Sequence, residues 1–284
     1  MIAARPRSQW FRPAKTVLSY LWLMRAHASV ASAAAVLVAA ILLGCPADST
    51  PVILAALVVA LITGAGNTLN DYYDYEIDRL NKPGRAIPSG AVSLRAALRF
   101  AWTLFAGGIV AALFLNPIAV AIAACNSFLL ILYARKSKQW GLAKNLAVAY
   151  LVGSVFLFTS AAVGKSNLLV VTLSVCSFLA TLSREIVKDI EDLEGDRVLH
   201  SKTLPLTIGP KKSHIVAFTV LAGSVMLAVL PFALGMMGVP ALVLIGAGAL
   251  IFWYAYALKS ASTAHKYIMV GSLVELGAFL LAGR

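Results

Sequence analysis

Nine apolar stretches, each long enough to cross a bilayer, take up most of this 284-residue chain, at about 16–43, 51–70, 94–115, 117–134, 142–163, 167–184, 212–234, 239–258 and 264–282. A hydrocarbon core about 30 Å thick needs about 20 helical residues to span it. Within that core every backbone N–H and C=O must find its partner inside the protein, which a helix does by itself. The pattern therefore predicts an all-α, polytopic membrane protein of nine transmembrane helices. Pro51 and Pro117 fall in opening turns, where a missing N–H costs little, and Gly44-Cys45-Pro46 and Asn116-Pro117 separate neighbouring spans. The N-terminus, MIAARPRSQWFRPAK, is basic like that of a signal peptide, but the stretch behind it is too long for a cleaved apolar region and reads as a retained first helix. What remains is too short for a soluble domain, so 1–284 reads as one intramembrane domain.

Charged residues make up 13% of the chain, against about 25% in soluble proteins, and the formal net charge is +12. A basic excess can mark nucleic-acid binding or cytoplasmic loops, and the positions decide between them. With the connections assigned alternately to two sides, 22 of the 24 Lys and Arg fall on the side of the N-terminus, leaving Lys165 and Arg284 opposite. The positive-inside rule puts that basic side in the cytoplasm and the C-terminus outside, and no nucleic-acid partner is implied. Cys45, Cys125 and Cys176 show no paired spacing, and the four His form no zinc pattern.

Ten of the twelve acids lie in two windows, 71–78 and 185–196, which leaves only Asp48 and Glu275 elsewhere. At an offset of 118 residues Asp71, Asp74, Glu76, Asp78 and Arg79 fall on Asp189, Asp192, Glu194, Asp196 and Arg197, both copies reading D-x-x-D-x-E-x-D-R. Four spans separate the copies, so both face the cytoplasm, in loops at about 71–93 and 184–211, as in a parallel internal repeat around a central cavity. On a helix, positions i, i+3 and i+7 share a face, so Asp71, Asp74 and Asp78 are expected on one stripe, with Asn70 joining them, and Asp189, Asp192 and Asp196 on another. Loop acids balancing nearby cations would explain one cluster, but not two copies matched at five positions. Oxygen-only donors favour Mg²⁺, which bridges carboxylates to phosphates, and two facing stripes suit a diphosphate. Lys82, Arg85, Lys136 and Lys138, on the same face, are candidate phosphate donors, with Lys188 beside the second cluster. Arg25 either reaches the cavity or snorkels to the interface. Glu275, inside the ninth span, has no visible partner and is left outside the site.

NDYYDYEID (Asn70 to Asp78), RAIPSG (Arg85 to Gly90), REIVKDIEDLEGD (Arg184 to Asp196) and Thr203-Leu204-Pro205 resemble the motifs of the UbiA-type intramembrane prenyltransferases. The resemblance covers nearly the whole chain and leans toward the archaeal branch that makes digeranylgeranylglyceryl phosphate in phospholipid biosynthesis. Ala86 stands where that branch is expected to have Pro. What the resemblance implies is Mg²⁺-dependent transfer of a geranylgeranyl group from its diphosphate to the free hydroxyl of geranylgeranylglyceryl phosphate. Asp71, Asp74, Asp78, Asp189, Asp192 and Asp196 would be catalytic, all but Asp71 holding metal together with Asn70. Arg25, Asn70, Lys82, Arg85, Tyr133, Lys136, Lys138 and Lys188 would meet substrate. Tyr133 is a candidate for facing the allylic cation, as are Tyr72, Tyr73 and Tyr75 beside the motif, and Asp71 or the released diphosphate would take the proton. The partners implied are the prenyl diphosphate donor, a lipid-like phosphate acceptor and membrane lipids, with no obligatory protein. An aromatic acceptor, or a divalent-cation transporter, are the alternatives.

Overall fold

The computed structural model describes residues 13–136, 140–198, 201–258 and 260–282, and among them every regular element is an α-helix. The chain runs α1 (Pro13–Leu23), α2 (Ala26–Leu42), α3 (Thr50–Tyr73), α4 (Tyr75–Asn81), α5 (Leu94–Ala112), α6 (Pro117–Lys136) and α7 (Leu142–Val163). It continues through α8 (Leu168–Glu191), α9 (Leu193–Val198), α10 (Leu204–Ile208), α11 (Pro210–Ala233), α12 (Val239–Ala257) and α13 (Ala261–Ala282). Eight of these are long and apolar enough to cross a membrane, and α1 with α2 makes a ninth, broken span.

The first span departs from the single helix expected over 16–43. It bends by 59° between α1 and α2, where Arg25 takes a left-handed conformation (φ 50°, ψ 62°). A side chain there costs roughly 1–2 kcal/mol against a right-handed turn. The break frees the carbonyl of Met24, which accepts from Asn67 Nδ2 and Ser29 Oγ, each at 3.3 Å. A polar side chain from the neighbouring span thus satisfies the backbone group that the kink exposes.

The duplication extends well beyond the acidic motifs. Shifted by 118 residues, α3 falls on α8 end to end and the start of α4 on the start of α9, while α2, α5 and α6 fall on α7, α11 and α12 to within four residues. In each half the motif helix is sandwiched between the span before it and the span after it, α3 between α2 and α5, α8 between α7 and α11. The halves meet where α7 packs on α2 and α3, and α13, which has no counterpart in the first half, closes against α8 and α12. The first half has one buried cluster around Val58, Ile62, Leu104 and Phe105, and the second has its own around Ile186, Leu221, Phe252 and Ile268.

Small and hydroxylated residues set the closest helix contacts, as expected where lipid supplies no hydrophobic drive between helices. Ser174 Oγ on α8 donates to the carbonyl of Gly153 on α7 at 2.8 Å, and a Cβ on Gly153 would lie 2.8 Å from the carbonyl oxygen of Ser174. Ser224 Oγ on α11 donates to the Cys176 carbonyl at 3.1 Å. All three cysteines are free thiols.

Gly141, just before α7, has φ 53° and ψ −127°, and a Cβ there would collide with the carbonyl of Lys202. Both facts demand glycine. Gly141→Ala is expected to cost about 1–3 kcal/mol, seen as a lower detergent melting temperature and as faster proteolysis at 201–203. An unchanged melt would show that this approach does not hold the loop.

Candidate active site

The two acidic motifs sit at the same end of the bundle, because α3 and α8 run in parallel and end at the same point in the repeat. The sequence pattern implied unbroken stripes, but both helices are interrupted at the central aspartate. Asp74 (φ −84°, ψ 2°) separates α3 from α4, and Asp192 (φ −86°, ψ 9°) separates α8 from α9. The backbone bonding carries across both junctions. Asp74 N donates to Asn70 O at 2.9 Å and Asp192 N to Lys188 O at 2.9 Å, followed by Asp78 N to Asp74 O at 2.8 Å and Asp196 N to Asp192 O at 2.9 Å. The repeat is thus symmetrical down to individual hydrogen bonds.

A cavity of about 620 Å³ lies between the halves, with Asn70, Tyr133, Arg184 and Lys188 at one end and Val58, Phe158 and Phe279 among its apolar walls. A second cavity of about 480 Å³ is bounded by Trp22, His27, Asp71, Lys82, Arg85 and Ala86. Arg25 lines both. The expected first stripe is therefore divided, Asn70 facing the larger cavity and Asp71 the smaller.

The buried members of the motifs already have cations. Asp71 Oδ1 accepts from Arg25 Nη2 at 3.0 Å and from Arg85 Nη1 at 3.1 Å, and the same Nη1 donates to Asp78 Oδ2. Asp189 accepts from Lys144 Nζ on Oδ1 at 2.8 Å and from Asn145 Nδ2 on Oδ2 at 2.8 Å. The expectation that Asp189 holds metal meets this geometry, in which both of its oxygens face protein donors. The two halves match here too: the first aspartate of each motif is paired with a cation at the near end of the preceding span, Arg25 before α2 and Lys144 in the first turn of α7. Charges this deep would be costly without such partners.

The remaining motif aspartates line neither cavity. Asp74 Oδ2 accepts from Asn70 Nδ2 at 3.0 Å, Asp192 is exposed, and Asp196 keeps a buried Oδ2 without a hydrogen-bond partner. Among the described residues no three acidic, His or Cys side chains form a ready-made metal group. Mg²⁺ commonly takes one or two carboxylates and completes its shell with water and substrate phosphate, and this all-oxygen set with an orphaned carboxylate oxygen fits that chemistry.

Of the other residues the sequence singled out, Tyr133 lines the larger cavity and feels the charges of Glu185, Asp189, Asp74 and Arg25, which places its ring between the two motifs. Tyr72, Tyr73 and Tyr75 line neither cavity. Lys188 is at the mouth of the larger cavity, paired with Glu185 at 2.9 Å, and Lys82 is exposed on the smaller one. Lys136 contributes the last backbone turn of α6, and Lys138 lies outside the described residues, as do Arg5, Arg7, Arg12, His200, Lys259 and Arg284.

Sequence reasoning missed Lys144 and Asn145. The repeat held the signal, because the 118-residue offset puts Lys144 one position from the counterpart of Arg25. It also passed over Asn67 and Asn126, which bring amide groups to the cavity wall.

The pattern of the UbiA prenyltransferase family matches residues 29–270. A protein of Methanothrix thermoacetophila named digeranylgeranylglyceryl phosphate synthase is 41% identical over 266 residues, which cover 93% of this chain and 98% of that protein. A solved structure concerned with digeranylgeranylglyceryl phosphate synthase in membranes superposes with a TM-score of 0.82 at 35% identity, covering 95% of this chain and 99% of that one. A UbiA homolog from Archaeoglobus fulgidus, solved with GPP and Mg²⁺, shares the fold at a TM-score of 0.67 and 18% identity, covering 93% and 99%.

Proposed function

The chain belongs to the UbiA prenyltransferase family, and on that premise we propose that it transfers a geranylgeranyl group from geranylgeranyl diphosphate to the free hydroxyl of geranylgeranylglyceryl phosphate in archaeal membrane-lipid synthesis. The observation that carries this reading is one cavity with a charged mouth between two matched aspartate motifs and apolar walls below it. A diphosphate is drawn to the mouth and a long hydrocarbon to the walls, so the cavity sorts the two ends of an amphiphile. The names of the relatives at 41% and 35% identity support the same product.

Asn70, Asp74, Asp192 and Asp196 would hold Mg²⁺ against the diphosphate, with Asp78 shared between this set and Arg85. When bound, the ion supplies positive charge to the oxygens of the leaving diphosphate. Arg25, Arg184 and Lys188 at the mouth orient the diphosphate and stabilise the charge it gains as it departs. The allylic C–O bond breaks with its electron pair going to diphosphate, and the acceptor oxygen forms the new C–O ether bond. Tyr133 offers its ring face to the electron-poor carbon. The apolar walls keep water from capturing that carbon. Asp71 lies outside this cavity and is bound by two guanidiniums, so the proton of the hydroxyl passes to the released diphosphate.

On this reading the whole chain is one intramembrane domain, its N-terminus and mouth cytoplasmic and its C-terminus outside, working on two lipid-like substrates among membrane lipids. The decisive test supplies purified protein in liposomes with labelled geranylgeranyl diphosphate and a panel of acceptors, with and without EDTA. Digeranylgeranylglyceryl phosphate is expected, and EDTA is expected to abolish it. Prenylated aromatic acids without any glyceryl phosphate product would overturn the lipid reading.

A further inference from the structure

One ionisable group takes no part in the site described above. Glu275, on α13, is 4% exposed, lines the larger cavity, and has an Oε1 atom with no hydrogen-bond partner. A buried carboxyl without a protein donor is uncommon and asks for an explanation. Space is set aside for it: α12 presents Gly248 at this point, where a Cβ would come within 3.0 Å of the Glu275 Cγ. Among the described residues the only other carboxylate lining this cavity is Glu185, at the mouth and paired with Lys188.

The depth of Glu275 follows from α8. Cys176 lines the same cavity and lies close enough to feel the charge of Glu275. Cys176 and Asp189 are thirteen residues apart on α8, and on α13 Glu275 lies ten residues beyond His265, whose Nδ1 is 3.1 Å from Glu191 Oε2 at the end of α8, so at about 1.5 Å per residue Glu275 lies about 15–20 Å below the motif level. A chain of four isoprene units has sixteen main-chain carbons joined by fifteen bonds, and extends over about 20 Å. With its first carbon at the motifs, such a tail would bring its fourth unit beside Glu275. Apolar lining continues past that level, with Leu173 on α8 and Phe279 one turn further along α13. The carboxyl therefore stands in a wall of hydrocarbon with a few neutral polar groups such as Ser177 and Ser272.

We propose that Glu275 sets the length of prenyl chain the enzyme accepts, an inference that rests on the prenyl-transfer reading above. A carboxyl with no protein donor is satisfied by water held at the end of a four-unit tail. A fifth unit has to strip that water and bury the carboxyl unpaired against hydrocarbon, which is disfavoured far more than extra carbon against a carbon wall. One isoprene unit of mismatch in a hydrophobic pocket already changes preference by roughly tenfold or more.

The test is competition among the C15, C20 and C25 prenyl diphosphates for one acceptor, with wild type in nanodiscs. Wild type is expected to prefer C20 to C25 by at least about tenfold. Glu275→Leu, similar in size but apolar, is expected to erase most of that preference, with C20 turnover within about threefold of wild type. Glu275→Gln keeps a polar group in place and is expected to keep the preference within about twofold. Gly248→Ala pushes the carboxyl toward the cavity and is expected to shift preference toward C15, giving a second readout if Glu275→Leu does not fold. An unchanged C20-to-C25 ratio in a folded Glu275→Leu protein overturns the proposal, as does a Gln variant that behaves like Leu. Calorimetric binding of unreactive thio-diphosphate analogues of the three lengths separates the two readings. An affinity break after C20 in an enzyme that forms no prenyl product leaves the gate standing and removes the reaction. Equal affinity for all lengths in an active enzyme does the reverse.

Discussion

Asp74→Asn and Asp192→Asn are each expected to lower turnover by at least about 100-fold while leaving the melting temperature near that of wild type. The size of the effect follows from the loss of charge stabilisation at the departing diphosphate, where single groups are worth about 10²–10³ in rate. The fold should survive because Asn has the shape of Asp, and because the Asp74 and Asp192 backbone bonds at both helix junctions do not involve the side chains. The variants should also fail to bind donor more tightly when Mg²⁺ is added, which titration calorimetry measures directly. Wild-type turnover in either variant would sink the two-motif site, since each half contributes one of these central aspartates.

Lys144→Ala is expected to be damaging for a different reason. It leaves Asp189, 4% exposed, with only the Asn145 amide beside it. Removing one partner of a buried ion pair typically costs about 3–5 kcal/mol, because the other charge stays behind in a poor solvent. Neutralising that remaining charge should reverse most of the loss, so the double variant Lys144→Ala/Asp189→Asn is expected to melt well above the single one. The same double variant should keep a Mg²⁺ half-saturation close to wild type, whereas Asp192→Asn should raise it. If Asp189→Asn alone weakens Mg²⁺ as strongly as Asp192→Asn does, then Asp189 is a ligand and the pairing with Lys144 is incidental.

Nine spans, the parallel repeat and the positions of both motifs were legible in the sequence because each rests on something a linear pattern carries: hydrophobic length, identity at a fixed offset, and the side on which Lys and Arg collect. The division of labour within the motifs was not. Helical periodicity puts Asp71, Asp74 and Asp78 on one stripe, and it cannot know that Arg25 and Arg85 arrive from other elements to bind the first and last. The break at Met24-Arg25 was hidden for a related reason, since no Gly or Pro marks it and Asn67, from the neighbouring helix, stabilises it from outside. Lys144 looked like one more loop cation. Only the fold brings it to Asp189, 45 residues away in sequence.

The broken first span has a consequence for how the chain crosses the bilayer. At 17 residues α2 reaches about 26 Å, short of a hydrocarbon layer of about 30 Å. α1, turned by 59° and showing Val17, Leu18 and Trp22 on its outer surface, supplies the rest of the crossing at a slant and with an apolar face outward. The smaller cavity, bounded by Trp22, His27 and Lys82, therefore sits at the bend of this span. On the proposed reading, a phosphate ester held in the leaflet would meet the cations of this cavity, Arg25, Lys82 and Arg85, without leaving the membrane.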